Sequence, residues 1–424
     1  MPVDKGDWPD VGDEDFDLLL SAQYGFTPDK QTQVAVAVSG GGDSIALLHL
    51  VQRAALHVGW TVSAVTVDHG LRAEAADEAA GVARFCESLD ISHTILRWQH
   101  GVITGNLMDE ARKARERLIR DWALARGIVH VAVGHTADDQ AETFMVGLGR
   151  AAGLDGLSGM GSFWRKDGIK WSRPLLHHSR AELRAYLVRH GISWVDDPTN
   201  EDDRFTRIKA RKALAALVPL GITVESLKRS ISHLSVGRHA LKETLVSAVK
   251  SHVTEAAAGL KIARAAYDAL PLDIQRRFLM AAITWLSGDQ YAPRGGKQAN
   301  LMFVISSNKD STLNGCRFRC IGDAITIHRE PKAVALVFCG TDQLWDNRWR
   351  LDGPSDPGLE VRALSAEGLR ACKDWRSTGI SRDALLVSPA IWRGDTLVAA
   401  PLAGFANGWT ARIDAGFASF IISH

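Results

Sequence analysis

At 424 residues the chain is long enough for two or three domains, and 46% hydrophobic with 23% charged residues is a globular composition. A formal net charge of +1 excludes bulk polyanion binding, so any nucleic-acid surface must be local. No apolar run approaches the roughly 20 residues of a membrane span, and five cysteines without a C-x-x-C pair read as reduced thiols of a cytosolic protein.

The N-terminus, with Asp4, Asp7, Asp10, Asp13, Glu14 and Asp15, is too acidic for a signal or transit peptide. Residues 1–30 are expected to be an acidic leader and a short helix over 16–24. Residues 34–38 (V-A-V-A-V) then read as a buried strand, and Ile45, Leu48 and Val51 recur at helical spacing over 45–53. Between strand and helix stands Ser39-Gly40-Gly41-Gly42-Asp43-Ser44. Glycines let the chain turn and present bare N–H groups, and the helix adds the positive end of its dipole. Asp43 would repel a phosphate unless a divalent metal lay between them, which points to Mg-nucleotide. Neither G-x-x-x-x-G-K-[ST] nor a strand followed by G-x-G-x-x-G occurs. S-G-G-x-D-S instead resembles the PP-loop of N-type ATP pyrophosphatases. That resemblance implies a loop gripping the β,γ-pyrophosphate while ATP is cut between its α and β phosphates.

Residues 61–67 form a second buried strand ending in Asp68-His69, where an open α/β sheet holds its ligands. Helical periodicity follows over 73–89, a third strand over 93–96 and a long helix over 108–126. The last carries Arg112, Lys113, Arg115, Arg117 and Arg120 among Glu110, Glu116 and Asp121, a pattern that also suits a solvated face laced with ion pairs. A strand over 128–133 leads into Gly134-His135-Thr136-Ala137-Asp138-Asp139-Gln140-Ala141-Glu142-Thr143. Thr136, Asp138 and Asp139 suit a helix start. Capping does not require His135 or Glu142, and Asp139 and Glu142 share one helical face, where paired carboxylates call for a cation. Residues 147–160, including Arg150, are glycine-dense and read as a loop passing close to a ligand or another backbone. A helix over 180–190, a strand over 193–195 and an abrupt switch from acid to base over 196–212 complete the first half.

Motifs thin out beyond Leu214. Residues 218–290 are expected to be a helical accessory domain. A turn-rich linker over 291–298 then leads to an α+β region over 291–424, with strands over 317–321, 324–328, 333–338 and 359–363. Trp345, Trp349, Trp375, Trp392 and Trp409 read as core before stacking surface.

Taken together, S-G-G-G-D-S, V-D-H-G-L-R, E-A-R-K-A-R, G-H-T-A-D-D-Q-A-E-T, G-R-A-A-G-L-D-G-L-S-G-M, R-P-L-L and D-D-P-T-N-E-D-D-R-F-T-R resemble the tRNA(Ile)-lysidine synthetase family, in that family's order. The resemblance implies an α/β fold over 31–217: a parallel, doubly wound, adenine nucleotide alpha hydrolase-like sheet carrying the PP-loop. It implies two steps. ATP adenylates O2 of the anticodon wobble cytidine of a CAU-bearing isoleucine tRNA, and the ε-amine of free lysine then attacks C2 and expels AMP. Ser39, Gly40, Gly41, Gly42, Asp43, Ser44 and His69 would bind ATP. Asp43 and Asp139 would share Mg2+, Asp139 and Glu142 would hold the lysine ammonium or the metal, and His135 would manage a proton or stabilise phosphate. Arg112, Arg115, Arg150, Arg204, Arg207 and Arg211 would face tRNA, although 207–211 departs from the family's usual R-N-x-I-R. A tRNA thiolase would need paired cysteines near the loop, where Cys86 stands alone in the first half. A GMP synthetase-like amidotransferase would need a glutaminase domain. A nucleotide-sensing RNA-binding module would not need His135, Asp139 and Glu142.

Overall fold

The computed structural model describes residues 12–26, 33–70, 75–100, 107–195, 206–256, 259–289, 292–293, 295–354 and 356–423. Leader residues 1–11, Leu71 and Arg72, the block 196–205 with Arg204, and Tyr291 and Arg294 of the linker lie outside the described residues. The chain parts into two compact units, Met1–Arg238 and His239–His424.

In the first unit α1 (Asp13–Tyr24) precedes β1 (Gln33–Ala37), α2 (Gly42–Val58), β2 (Thr61–Asp68), α3 (Ala75–Ser88), β3 (Ser92–Arg97), α4 (Leu107–Leu124), β4 (His130–Val133) and α5 (Ala137–Gly149). A single turn, α6 (Leu154–Leu157), a hairpin of β5 (Phe163–Lys166) and β6 (Ile169–Ser172), α7 (Arg180–Arg189) and α8 (Thr206–Leu217) follow. The sheet order is β3-β2-β1-β4-β6-β5. Central β1 runs parallel to both neighbours, Val36 aligning with Ala64 of β2 and Ala132 of β4. Both faces of β1 are covered, which is why it is apolar from Val34 to Ala37 rather than alternating. Val34 and Val36 pack with Leu47, Leu48 and Val51 of α2 and Leu183 and Leu187 of α7. Ala35 faces the opposite core, with Ile119 and Trp122 of α4. Each such fully buried leucine or valine contributes about 1.5–3 kcal/mol, so the sheet fixes where α2 and α7 begin.

Two local expectations are corrected, and one element was not expected. Residues 193–195 form no strand, because Val195 N–H donates to the Gly40 carbonyl (3.2 Å) instead of joining a ladder. The β5–β6 hairpin was hidden by its charged, turn-like sequence. Residues 147–160 are less loop-like than expected, since α5 runs to Gly149 and α6 interrupts the rest. Their close approach to another backbone is real. A Cβ on Gly147 would stand 3.2 Å from the Gly156 carbonyl oxygen. Gln140 clamps the same stretch, accepting from Met160 N–H (2.7 Å) and donating to its carbonyl (3.0 Å).

The helix α9 (Val224–His252) begins before the boundary between the units, so residues 218–290 are not a body of their own. The second unit continues with β7 (Val253–Ala256), β8 (Gly259–Ala263), α10 (Arg264–Asp268), α11 (Leu272–Ser287), α12 (Gly296–Ser306), β9 (Ser311–Leu313), β10 (Cys316–Ile321) and β11 (Ala324–Arg329). Strands β7 and β8 were expected to be helical. They instead extend a sheet of order β7-β8-β11-β10-β9 that packs on α11 through Ile262, Phe278, Ile283, Phe318 and Ile327. Then come α13 (Pro331–Val334), β12 (Phe338–Gly340), β13 (Trp349–Asp352), β14 (Glu360–Ala363), α14 (Ser365–Ala371), α15 (Arg382–Leu386), β15 (Pro389–Arg393), β16 (Thr396–Ala399), β17 (Thr410–Ile413) and α16 (Phe417–Ser423). The strand expected over 333–338 is instead the end of the short helix α13, which Pro331 starts, followed by a turn, and only Phe338 is extended, as the first residue of β12. Trp345, Trp349 and Trp409 are buried in one core and Trp392 in another, while Trp375 is half-buried. No helix among the described residues is long and apolar enough to cross a membrane.

One contact in the first unit sets a sharp limit. A Cβ on Gly134, just past β4, would lie 3.1 Å from the Asp43 carbonyl oxygen, Ser44 N and Ser44 Cα, all backbone atoms that cannot swing aside. Gly134→Ala is therefore expected to push the glycine loop off β4, lowering stability by about 1–3 kcal/mol and raising the KM for ATP roughly tenfold. Thermal melts and initial rates of ATP cleavage check this; an unaltered KM would mean the loop tolerates the displacement.

Candidate active site

The parallel pairing of β1 with β2 and β4 brings the starts of α2 and α5 to one edge, and α7 joins them. These starts are built differently. Helix α5 is closed by a capping box, Thr136 Oγ1 accepting from Asp139 N–H (3.4 Å) and Asp139 Oδ2 accepting from Thr136 N–H (2.9 Å). Helix α7 is closed likewise by Ser179 and Glu182. Helix α2 has Gly41 as N-cap and no side-chain cap, leaving its positive end for an anion. The preceding loop is braced from within. Ser44 Oγ donates to the Gly41 carbonyl (2.9 Å) and accepts from Ser39 N–H (3.1 Å), and the two serine hydroxyls lie 3.2 Å apart. Gly40 has φ +91°, which a residue with a Cβ adopts only under strain. Trp194 covers Gly42, within 3.3 Å of where a Cβ would stand.

Arg180 gathers the carboxylates. Its Nε donates to Asp43 Oδ2 (3.1 Å), Nη2 to Asp139 Oδ1 (2.8 Å) and Nη1 to Glu142 Oε1 (2.7 Å). Arg211 of α8 also donates to Glu142 Oε1, through Nε at 3.0 Å and Nη2 at 2.9 Å. The two aspartates respond in opposite directions. Burial raises the pKa of Asp43, with Arg180 offsetting only part of the rise. Burial would raise Asp139 too, but Arg180, His135 and the Thr136 hydrogen bonds outweigh it and leave its pKa lowered. Arg180 is held more firmly protonated than usual, the pull of Asp139 and Glu142 exceeding the cost of burial.

His135 is half-buried. Burial first, and then the Arg173 charge, press its pKa down to about 4. Arg173 Nε donates to His135 Nδ1 (3.1 Å), so the neutral ring carries its proton on Nε2 and is a hydrogen-bond donor at pH 7. Arg173 is itself pinned, its guanidinium 3.8 Å above the Trp164 ring, which stacks on Trp171. The charges of Arg115 and Arg207 also reach His135, placing those two arginines beside the site. His69 stands edge-on to Trp98 with a lowered pKa, from burial and then from Arg115, and its Nδ1 is buried without a hydrogen-bond partner among the described residues.

Asp43, Asp139, Glu142 and Arg211 are therefore joined, with His135, Arg115 and Arg207 nearby. Arg112 is engaged by Asp109 (3.1 Å) and Glu116 (2.8 Å) on its own helix, the solvated-face pattern. Arg150 sits at the far end of α5, about 16 Å of helix away from Asp139. Both oxygens of Asp139 are engaged, one by Arg180 and one by Thr136, whereas Oδ1 of Asp43 is buried without a partner among the described residues. Among the described residues no group of three or more His, Cys, Asp or Glu side chains is arranged to hold a metal alone. Glu142 is 1% exposed, and its Oε1 accepts from both Arg180 and Arg211. Arg180 and Arg173 were not picked out from sequence. The available signal for Arg180 was that Asp139 and Glu142 needed a cation and that H-H-S-R puts one at a capped helix start.

A PP-loop domain model matches residues 18–218. A tRNA(Ile)-lysidine synthase of Ruegeria pomeroyi is 42% identical over 417 residues, 98% of this chain and 99% of its own length. One from Wolbachia pipientis is 35% identical over 339 residues, 78% of this chain and 79% of its own. Among solved structures, the U34-tRNA thiolase NcsA of Methanococcus maripaludis with its [4Fe-4S] cluster is 17% identical, with a TM-score of 0.45 covering 52% of this chain and 78% of that one. The chain belongs to the tRNA(Ile)-lysidine synthase family.

Proposed function

We infer that this protein ligates free lysine to C2 of the wobble cytidine of isoleucine tRNA at the expense of ATP, forming lysidine. The observation that carries the reading is the uncapped start of α2 under a glycine loop, set beside a neutral histidine and a cluster of carboxylates and arginines. Cytidine O2 attacks the α-phosphorus and pyrophosphate leaves. Lysine nitrogen then adds at C2, the C2–O bond breaks and AMP departs with the former O2.

The loop N–H groups of residues 40–43 and the α2 dipole bind the departing pyrophosphate. Mg2+ brought with ATP fits Asp43, whose buried Oδ1 offers a lone pair, and it supplies charge neutralisation on the phosphates. His135 donates Nε2–H to developing negative charge rather than removing a proton, since its Nδ1 lone pair is taken by Arg173 and its pKa is pressed down to about 4. Arg115, Arg207 and Arg211 form the local cationic surface for the tRNA backbone that the overall charge of +1 required. The lysine ammonium must lose a proton before its nitrogen can attack.

Mass spectrometry of tRNA nucleosides after incubation with ATP and labelled lysine should show a cytidine heavier by one dehydrated lysine. Asp43→Ala should abolish both that product and pyrophosphate release while the fold persists. Normal release by a folded variant would remove Asp43 from the site.

Glu142→Gln weakens the grip on Arg211, so it should raise the KM for tRNA while the KM for lysine moves little. A rise in lysine KM of about ten- to 150-fold, the loss of one charge-assisted hydrogen bond worth roughly 1.5–3 kcal/mol, would instead make Glu142 the ammonium anchor.

The His135 pKa is depressed in the fold, so the unfolded chain takes up a proton first as pH drops. Stability present above about pH 6.5 is then lost toward pH 4. Denaturant melts of His135→Asn should show a smaller acid loss than the wild type, by up to about 3 kcal/mol. Identical acid profiles would place the histidine proton elsewhere.

A further inference from the structure

Asp43, Asp139 and Glu142 bring three carboxylates to one place, partly withdrawn from water. Such groups stay ionised together only with a cation among them. Here that cation is part of the chain. Each of the three Arg180 nitrogens serves a different residue, Nε the first turn of α2 and the two Nη atoms successive turns of α5. The base of the side chain is fixed as well. Arg180 N–H donates to Asp138 Oδ2 (2.8 Å), and Ala137 N–H donates to the His178 carbonyl (2.8 Å), tying the start of α7 to the start of α5.

We propose that Arg180 is a positioning residue, the built-in counter-ion of this cluster, which fills the place a free cation would otherwise take and locks the phosphate loop to α5. It leaves Asp43 Oδ1 as the open acceptor and withdraws Asp139 and Glu142 from competition for metal. Lysine at this position would keep the charge but lose the planar fork that reaches three carboxylates at once. The proposal builds on the site described above, yet its main test requires no turnover.

Mn2+ titration of the full-length protein without ATP, followed by electron paramagnetic resonance, is the measurement. The wild type should bind weakly. Arg180→Gln should bind one Mn2+ about tenfold tighter or more, because its vacated carboxylates attract the ion. Guanidinium, on the order of tens of millimolar and well below the molar denaturing range, should reverse that gain and restore part of pyrophosphate release. Arg180→Lys should show no gain in Mn2+ affinity but a fall in kcat of at least about tenfold, with a smaller change in the KM for ATP. If Arg180→Gln does not fold, Arg180→Gln with Glu142→Gln removes one charge of each sign, and the same gain is expected from Asp43 and Asp139. A folded glutamine variant with wild-type Mn2+ affinity, or a lysine variant with wild-type kcat, overturns the proposal. Absence of lysidine with intact Mn2+ behaviour would overturn the function and leave the role of Arg180 standing.

Discussion

The site depends on one piece of strand pairing, β1 held in parallel between β2 and β4. Parallel strands place all their following loops at the same edge. The glycine loop after β1, Asp68 and His69 at the end of β2, and the Gly134-His135 turn after β4 therefore meet without any long-range device. Gly134 measures how tight the meeting is, since a methyl group there would stand 3.1 Å from the backbone of Asp43 and Ser44. Apolar packing on both faces of β1 supplies the energy for this arrangement, and the polar residues at its edge exploit it.

Electrostatics then sorts chemically similar groups into different tasks. Three helix starts converge, and each could take a negative charge. Two are occupied by their own serine or threonine caps, which leaves α2 for the ligand. Two aspartates near the same guanidinium are driven apart, Asp139 toward permanent ionisation and Asp43 toward easier protonation. Asp43 is thus the carboxylate that gains most from an arriving cation. His135 shows the same principle. Half-buried beside Arg173, it loses its proton affinity and keeps its donor.

Much of this was legible from the residues. A β-branched run, three glycines, an aspartate and a helical period define a phosphate loop, and strand-end polar residues follow from parallel topology. Asp139 shows that two readings of a residue need not exclude each other, since it closes the α5 capping box and faces Arg180 as well. What stayed hidden was pairing over distance. Arg180 lies 137 positions from Asp43 and looks locally like an ordinary first helical residue. The β7–β8 hairpin was missed for a related reason. It follows a 29-residue helix with no proline at the junction, and its strand character comes from pairing of β8 with β11, some sixty residues later.

The second unit closes on itself from its two ends. Phe417 and Ile421 of α16 fill the core built by α11 and the β7–β11 sheet, and Glu255 of β7 accepts from Phe417 N–H at 2.7 Å. The first unit has every residue of its cores by Ile231. During synthesis on a ribosome, at 5–20 residues per second, the sheet bearing the phosphate loop is complete roughly 10–40 s before Phe417 exists. The nucleotide-binding edge therefore takes shape on a chain whose other half still lacks the side chain that seals it. The order in which the halves mature is written into the position of one C-terminal phenylalanine.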